Sequence, residues 1–364
     1  MGSEFTVQIE RTGDLLLGVV LEIALESSGT GTGTGTGTYY PAEALIESAV
    51  LTIDGVRADA CRAGWMRVYD SLFRTDDERR AYRRLVDFDA TAPVATAAVP
   101  KRFYVPLPFF MRAPGMALPL VAMQYSTVRV CIKLASAVAG IGRIVDFGAW
   151  AEYAFLDGPE RERFASTPRE YLVEQTQFGG PQVAAPSTSA TTSQTFWLNF
   201  QRPVKYLAWA FRGDTHGAYA GSPGYANADY ANLATWDERC AVVRSAKLQL
   251  GGQDRFDARR GSYFNEVQPY RAAGSVPPAG VYLYSFALNP RDPAPSGTCN
   301  FSKFENAVLR VDYKRCADGF DAPDDAEANA TTWAANLTTF EAYAVGYNVL
   351  RVENGRAIVV YPGS

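Results

Sequence analysis

One histidine, His216, occurs in the 364 residues. That excludes the multi-histidine metal centre by which β-barrels of the cupin type become enzymes, since such sites draw on two or three imidazoles. A Ser-His-Asp arrangement would have only Asp214 beside that histidine, and no Gly-x-Ser-x-Gly elbow presents a nucleophile. His216 sits in a Gly- and Tyr-rich stretch and reads as an exposed loop residue. Cysteine is also sparse: Cys61, Cys131, Cys240, Cys299 and Cys316 are odd in number, widely spread and without a Cys-x-x-Cys pair. They are expected to be free thiols made in a reducing compartment, not a disulfide framework. No long hydrophobic run exists. The greasiest, Leu15 to Leu25, is interrupted by Glu22 and too short to span a bilayer, and no secretory signal opens the chain. Charge of one sign is lacking too, with 35 basic against 39 acidic residues. No basic face is implied, which disfavours direct nucleic-acid binding. The pattern offers no catalytic residue, no cofactor site and no metal ligand set.

What is present is a folded composition, 47% hydrophobic and 20% charged, at a length suited to two domains. The stretch "SAVLTIDG" at 48–55 returns as "SAKLQLGG" at 245–252. Each alternates apolar with polar residues and closes on glycine, the pattern of a half-buried strand entering a turn. "IER" at 9–11 has a counterpart in "FQR" at 200–202, and "EYAFL" at 152–156 in "GYNVL" at 346–350. "PGMALPLVAMQY" and "PAGVYLYSFAL" are each read as a turn leading into an apolar strand. The separations cluster, in order, around an internal duplication of roughly 190 residues. Short alternating runs such as "TVQIE", "LLLGVVLEIAL", "STVRVCIKL", "YLAWAF" and "AIVVY" lie between stretches rich in Gly, Pro, Ser and Thr, as in jelly-roll barrels. The expected organisation is two tandem all-β units, 1–168 and 169–364, with the boundary near Phe164 to Arg169.

Two helices interrupt the strands. "TDDERRAYRRLVD" opens with Thr75 and Glu78 at capping-box spacing and places Tyr82, Leu85 and Val86 on one side. "DGPERERFAS" has Asp157, Pro159 and Glu160 placed for a helix start. The alternating Gly-Thr run at 29–38 reads as a surface loop, because no phosphate-binding pattern accompanies it. The acidic groups Asp76-Asp77-Glu78 and Asp324-Asp325-Glu327, and the arginines 79, 80, 83 and 84, read as solvated faces or subunit ion pairs. The 20 tyrosines and 20 phenylalanines are expected to fill core and interface. Sequons begin at Asn300, Asn329 and Asn336 and are read as chance matches in the absence of a secretory signal. "GSEF" at 2–5 is what two adjacent cloning sites encode in frame, so Met1 to Phe5 are expected to be a cloning scar. The second copy has some 25 residues before its "FQR" strand and the first has almost none. The first barrel is therefore expected to lack its N-terminal strands, which upstream residues of the natural protein would supply.

Many stretches in order give the chain a resemblance to a known family. They are "YYPAEALIE" 39–47, "YDSLFR" 69–74, "KRFYVPLPFF" 101–110, "PGMALPLVAMQY" 114–125, "REYLVEQTQF" 169–178, "KYLAW" 205–209, "GQDRF" 252–256, "RRGSYFNEVQPY" 259–270, "PAGVYLYSFALNP" 278–290, "PSGTCNFS" 295–302 and "YNVLR" 347–351. Together they resemble the major capsid proteins of large icosahedral double-stranded DNA viruses, most closely the chlorella virus (phycodnavirus) branch. The resemblance covers nearly the whole chain from Thr6 to Arg351. It implies a double jelly roll: two eight-stranded barrels with short helices in the connecting loops. It implies a homotrimer whose six barrels form a pseudo-hexagonal capsomer, so that duplication lets a three-fold oligomer fill six-fold lattice positions. The implied partners are further copies of the chain, neighbouring capsomers and minor capsid proteins. The implied location is the virion capsid, with synthesis in the host cytoplasm. Outward loops of the second barrel carry glycans in this family, and Asn227, Asn232, Asn329 and Asn336 are the candidates here. The ending "VENGRAIVVYPGS" departs from the family's Gly/Met-rich tail.

Other functions remain to be weighed against a capsid subunit. A minor or penton capsid component is disfavoured by similarity in both barrels. A carbohydrate-binding jelly-roll module would use aromatic loops. A β-sandwich hydrolase is left almost nothing by the single histidine.

Overall fold

The computed structural model describes residues 2–26, 42–86, 101–112, 114–135, 143–184, 192–213, 243–275, 277, 280–313 and 337–361. These form two compact units. The first gathers Met1–Met66, Asp77–Thr176 and Tyr347–Ser364; the second gathers Arg67–Asp76 and Gln177–Gly346. The packing units therefore do not follow a single cut at residue 168. Three segments, 67–76, 169–176 and 347–364, pack with the unit to which a linear division would not assign them.

In the first unit, β1 (Glu4–Gln8), β2 (Leu15–Glu26), β3 (Ile46–Ile53), β4 (Val56–Cys61), β5 (Lys101–Pro106), β6 (Val128–Leu134) and β7 (Arg143–Ala154) make two antiparallel sheets. Their orders are β1-β6-β3-β4 and β5-β2-β7. Alternation drives them. In β6, Val128, Val130, Ile132 and Leu134 are buried while Arg129 and Lys133 are exposed. Glu4 and Phe5, which lie within the expected cloning scar, pair with Lys133 and Ile132, and the Phe5 ring stacks on Phe147 at 5.2 Å. The alternation of "EFTVQ" simply extends the strand.

β8 (Arg169–Phe178) follows the helix that separates it from β7. The second unit then runs through β9 (Gln182–Val183), β10 (Thr192–Trp197), β11 (Pro203–Gly213), β12 (Val243–Leu250), β13 (Gln253–Asp254), β14 (Arg259–Arg260), β15 (Val281–Ser285), β16 (Cys299–Asn300), β17 (Ala307–Tyr313) and β18 (Leu337–Glu353). One sheet has the order β10-β17-β12-β13, with β14 also on β12. The other has β15-β11-β18, with β16 on β11 and both β8 and β9 on β18. The last strand, β19 (Arg356–Val359), pairs with residues 350–353 of β18 in the first unit.

The sequence echo is a structural identity. Ser48 to Gly55 and Ser245 to Gly252 are β3 and β12 with their turns. Ala49, Leu51 and Ile53 face Ile132, Val130 and Val128, as Ala246, Leu248 and Leu250 face Val311, Leu309 and Ala307. Even the irregularity recurs: the register shifts between Ile46 and Ser48 in one copy and between Val243 and Ser245 in the other. Two-residue turns with positive φ at both positions close both hairpins, Asp54-Gly55 (φ 51 and 83) and Gly251-Gly252 (φ 59 and 79). This is the mirror-image turn whose twist suits antiparallel strands. Asn354-Gly355 (φ 52 and 76) closes a third hairpin, β18 to β19.

The helices are α1 (Ala63–Phe73), α2 (Asp76–Val86), α3 (Gly158–Ser166) and α4 (Gln268–Ala272). The Asp157 side chain caps α3 by accepting from Glu160 N at 3.0 Å, as the sequence predicts. On α2, Tyr82 and Val86 are buried but Leu85 is exposed, so its apolar side is narrower than the sequence reading. "PGMALPLVAMQY" also departs from expectation. It forms 3-10 turns at Pro114–Met116 and Leu120–Ala122, with a lone bridge from Leu16 to Leu118, whereas its second-copy counterpart becomes β15. Pro119 lacks the N–H that a continuing ladder would use.

Candidate assembly surfaces

His216, Asp214, the cluster Asp324-Asp325-Glu327 and the glycan candidates Asn227, Asn232, Asn329 and Asn336 lie outside the described residues. Among the described residues no group of His, Cys, Asp or Glu could hold a metal ion, and no helix is long and apolar enough to cross a membrane. Cys61, Cys131 and Cys299 are free thiols. Asp77 makes an exposed 3.7 Å ion pair with Arg80 on α2. The described sequon is structural in use: Asn300 Oδ1 accepts from Ser302 N at 3.1 Å, and Ser302 Oγ accepts from Arg202 N at 2.7 Å.

Most described aromatic residues of the second unit are core. Phe196 stacks on Phe340 with centroids 4.0 Å apart, Phe211 meets both Phe340 and Tyr313, and Trp209 packs on Phe264 and Tyr282. Rings interlocked in this way fill a barrel interior.

A charged buried site missed from sequence lies in the first unit. Asp59, on β4, is buried and accepts three backbone N–H groups: Ala60 at 2.8 Å, Phe110 at 3.0 Å and Thr176 at 3.1 Å. Burial pushes its carboxyl up to about 6, although those N–H donors and nearby Arg112 pull the other way. Arg57 donates to Thr176 O at 3.2 Å, and Arg112 pairs with Glu174 at 3.1 Å. One carboxylate thus ties β4 to the turn at Phe110 and to β8. "VRADAC" carries no sign of this beyond a charge at an inward position of a strand.

The outer face of the β5-β2-β7 sheet is the polar and aromatic surface of the first unit. Glu22, the residue that breaks the apolar run of β2, accepts from Trp150 Nε1 at 2.6 Å and pairs with Arg102. Those two donors hold its carboxyl below the ordinary glutamate range. Arg102 also reaches Asp146 at 3.3 Å. Around this centre Tyr104, Val145, Trp150 and, beyond β7, Phe155 are exposed. A face of large exposed side chains organised by ion pairs suits contact with another protein surface.

Comparison with known proteins gives the family. The family model described as large eukaryotic DNA virus major capsid protein matches residues 160–358, and that for the major capsid protein N-terminus matches residues 1–157. The chain belongs to this family. The major capsid protein of Paramecium bursaria Chlorella virus 1 is 46% identical over 390 residues, covering 99% of this chain and 88% of that protein. The major capsid protein of Pyramimonas orientalis virus is 33% identical, covering 99% and 86%. A solved capsid structure of the chlorella virus superposes with a TM-score of 0.82 at 42% identity, covering 100% of this chain and 93% of that one. The Faustovirus major capsid protein reaches 0.68 at 12% identity, which speaks for the fold alone. The sequence-based reading of a double jelly-roll major capsid protein is therefore correct.

Proposed function

We propose that this major capsid protein forms homotrimers whose six barrels make a pseudo-hexagonal capsomer, and that capsomers tile the virion shell. The observation that carries the reading is the duplicated barrel. β3 with β6 and β12 with β17 repeat the same register, the same bulge and the same turn, so one chain presents two near-equivalent units and three chains present six. Contacts within a trimer are large and apolar-centred, while those between capsomers are individually weak and gain strength by number. The function is burial and complementarity, not catalysis, and no cofactor is needed. Neighbouring capsomers and minor capsid proteins are the partners, and assembly follows synthesis in the host cytoplasm. The duplicated lengths are 1–168 and 169–364, even though the packing units exchange three segments. Glycans on Asn227, Asn232, Asn329 or Asn336 would decorate outward loops of the second barrel.

Light scattering after gel filtration tests the trimer. A species near 119 kDa, three times the 39.7 kDa chain, is expected. A folded monomer that binds immobilised glycans would overturn the capsomer in favour of a sugar-binding module.

A further inference from the structure

Every hydrogen bond described at the Asp59 carboxylate is donated to it. Its Oδ1 accepts from Ala60 N and Thr176 N, and its Oδ2 from Phe110 N alone. Backbone amides give hydrogen bonds and cannot take them. The nearby cations are of the same kind: Arg112 on the Phe110–Arg112 turn, and Arg57 on β4 with Arg62 beside it. Arg57 keeps a buried Nε that has no acceptor among the described residues. Glu174 of β8 is the second carboxylate at the site, and it is held by Arg112. Cys61 on β4 stays an uncharged thiol, because burial pushes it up. Across on β3 stands Leu51, and on β19, which also packs on β4, the charged Arg356 is exposed. The surroundings therefore suit the ionised form. A neutral acid has one O–H to place: on Oδ1 the proton displaces two donors, on Oδ2 only one.

We propose that Asp59 is an acid-operated latch on the turn Phe110–Arg112. Ionised, the side chain ties β4 to that turn and to β8. Protonated on Oδ2, it keeps Ala60 and Thr176 and lets go of Phe110. The turn carries Phe110 and Met111, with Phe109 before it, all buried, so its release brings apolar surface within reach of solvent. Burial sets the carboxyl at about 6, so mild acidification opens the latch. The charge that burial disfavours vanishes in the same step. The unit as a whole gains stability while one turn is freed. The device belongs to the first unit and does not depend on the capsomer.

The test is hydrogen exchange by mass spectrometry on the full chain, with each rate divided by its intrinsic rate at the same pH. Between about pH 7.5 and about pH 4.5, protection across Phe110–Arg112 should fall about tenfold. The midpoint should lie at about 6, while β6 keeps its protection throughout. NMR of isotopically labelled aspartate carboxyl carbons should show one signal titrating with that midpoint and missing from Asp59→Asn. The asparagine places an NH2 where the acid would carry its proton, so in that variant the turn should exchange fast at both pH values. Glu174→Gln should lower the midpoint, since Arg112 is then left to Asp59 alone. Protection that stays flat in the parent would overturn the proposal, whether or not either variant folds. So would a pH dependence that survives in Asp59→Asn, or a midpoint unmoved in Glu174→Gln, because another group would then be titrating.

Discussion

Asp59 shows how one residue can couple the fold to pH. Its carboxyl is raised by burial from an ordinary value of 3.8 to about 6. A raised carboxyl favours the folded state most below its unfolded value, and that contribution is lost as pH rises through the folded one. Unfolding measured by denaturant at fixed pH, for the parent and for Asp59→Asn, should show the parent losing stability relative to the variant between about pH 4 and pH 6. The loss is on the order of 2–3 kcal/mol, with a flat difference above pH 7. A flat difference throughout would mean that the three N–H donors hold the carboxylate ionised at all these pH values. Leu51 and Leu248 make a different point at the same scale: both sit in the same inward register, and both are legible as such from alternation alone.

At the scale of elements, turns and close approaches decide which glycines matter. Gly55 and Gly252 hold φ of 83 and 79 with open space around a would-be Cβ, so changing either to alanine is a purely conformational cost of about 1 kcal/mol. Gly346 is different. A Cβ there would lie 2.4 Å from Pro203 O, so β11 and β18 would have to part. Thermal melts should rank Gly346→Ala as the most damaging, Gly55→Ala and Gly252→Ala as intermediate, and Gly148→Ala as silent, since Gly148 in β7 has open space and an ordinary φ. The glycines that close "SAVLTIDG" and "SAKLQLGG" were legible as turns. The collapse of "PGMALPLVAMQY" into 3-10 turns was not, because an apolar run without clear period fits a strand or a buried irregular stretch equally well.

For the whole molecule, the described cysteines are free and burial pushes the Cys61 thiol up, away from reactivity. The oligomer mass by light scattering should therefore be the same with and without reductant. A mass that falls on reduction would show that disulfides, and not buried surface, hold the subunits together.

From the sequence alone came the duplication, several of the strands, the turns that end β3 and β12, and the resemblance to capsid proteins. All of these are carried by local alternation and by order along the chain. Alternation reports which face of a strand is buried, so the barrels were legible. It does not report which strand lies beside another. Only the tertiary structure could show that Asp59 anchors Phe110 and Thr176 and that residues 347–364 pack with the first unit. Each depends on contacts between residues far apart in the chain, made by backbone groups and edges that every sequence carries alike.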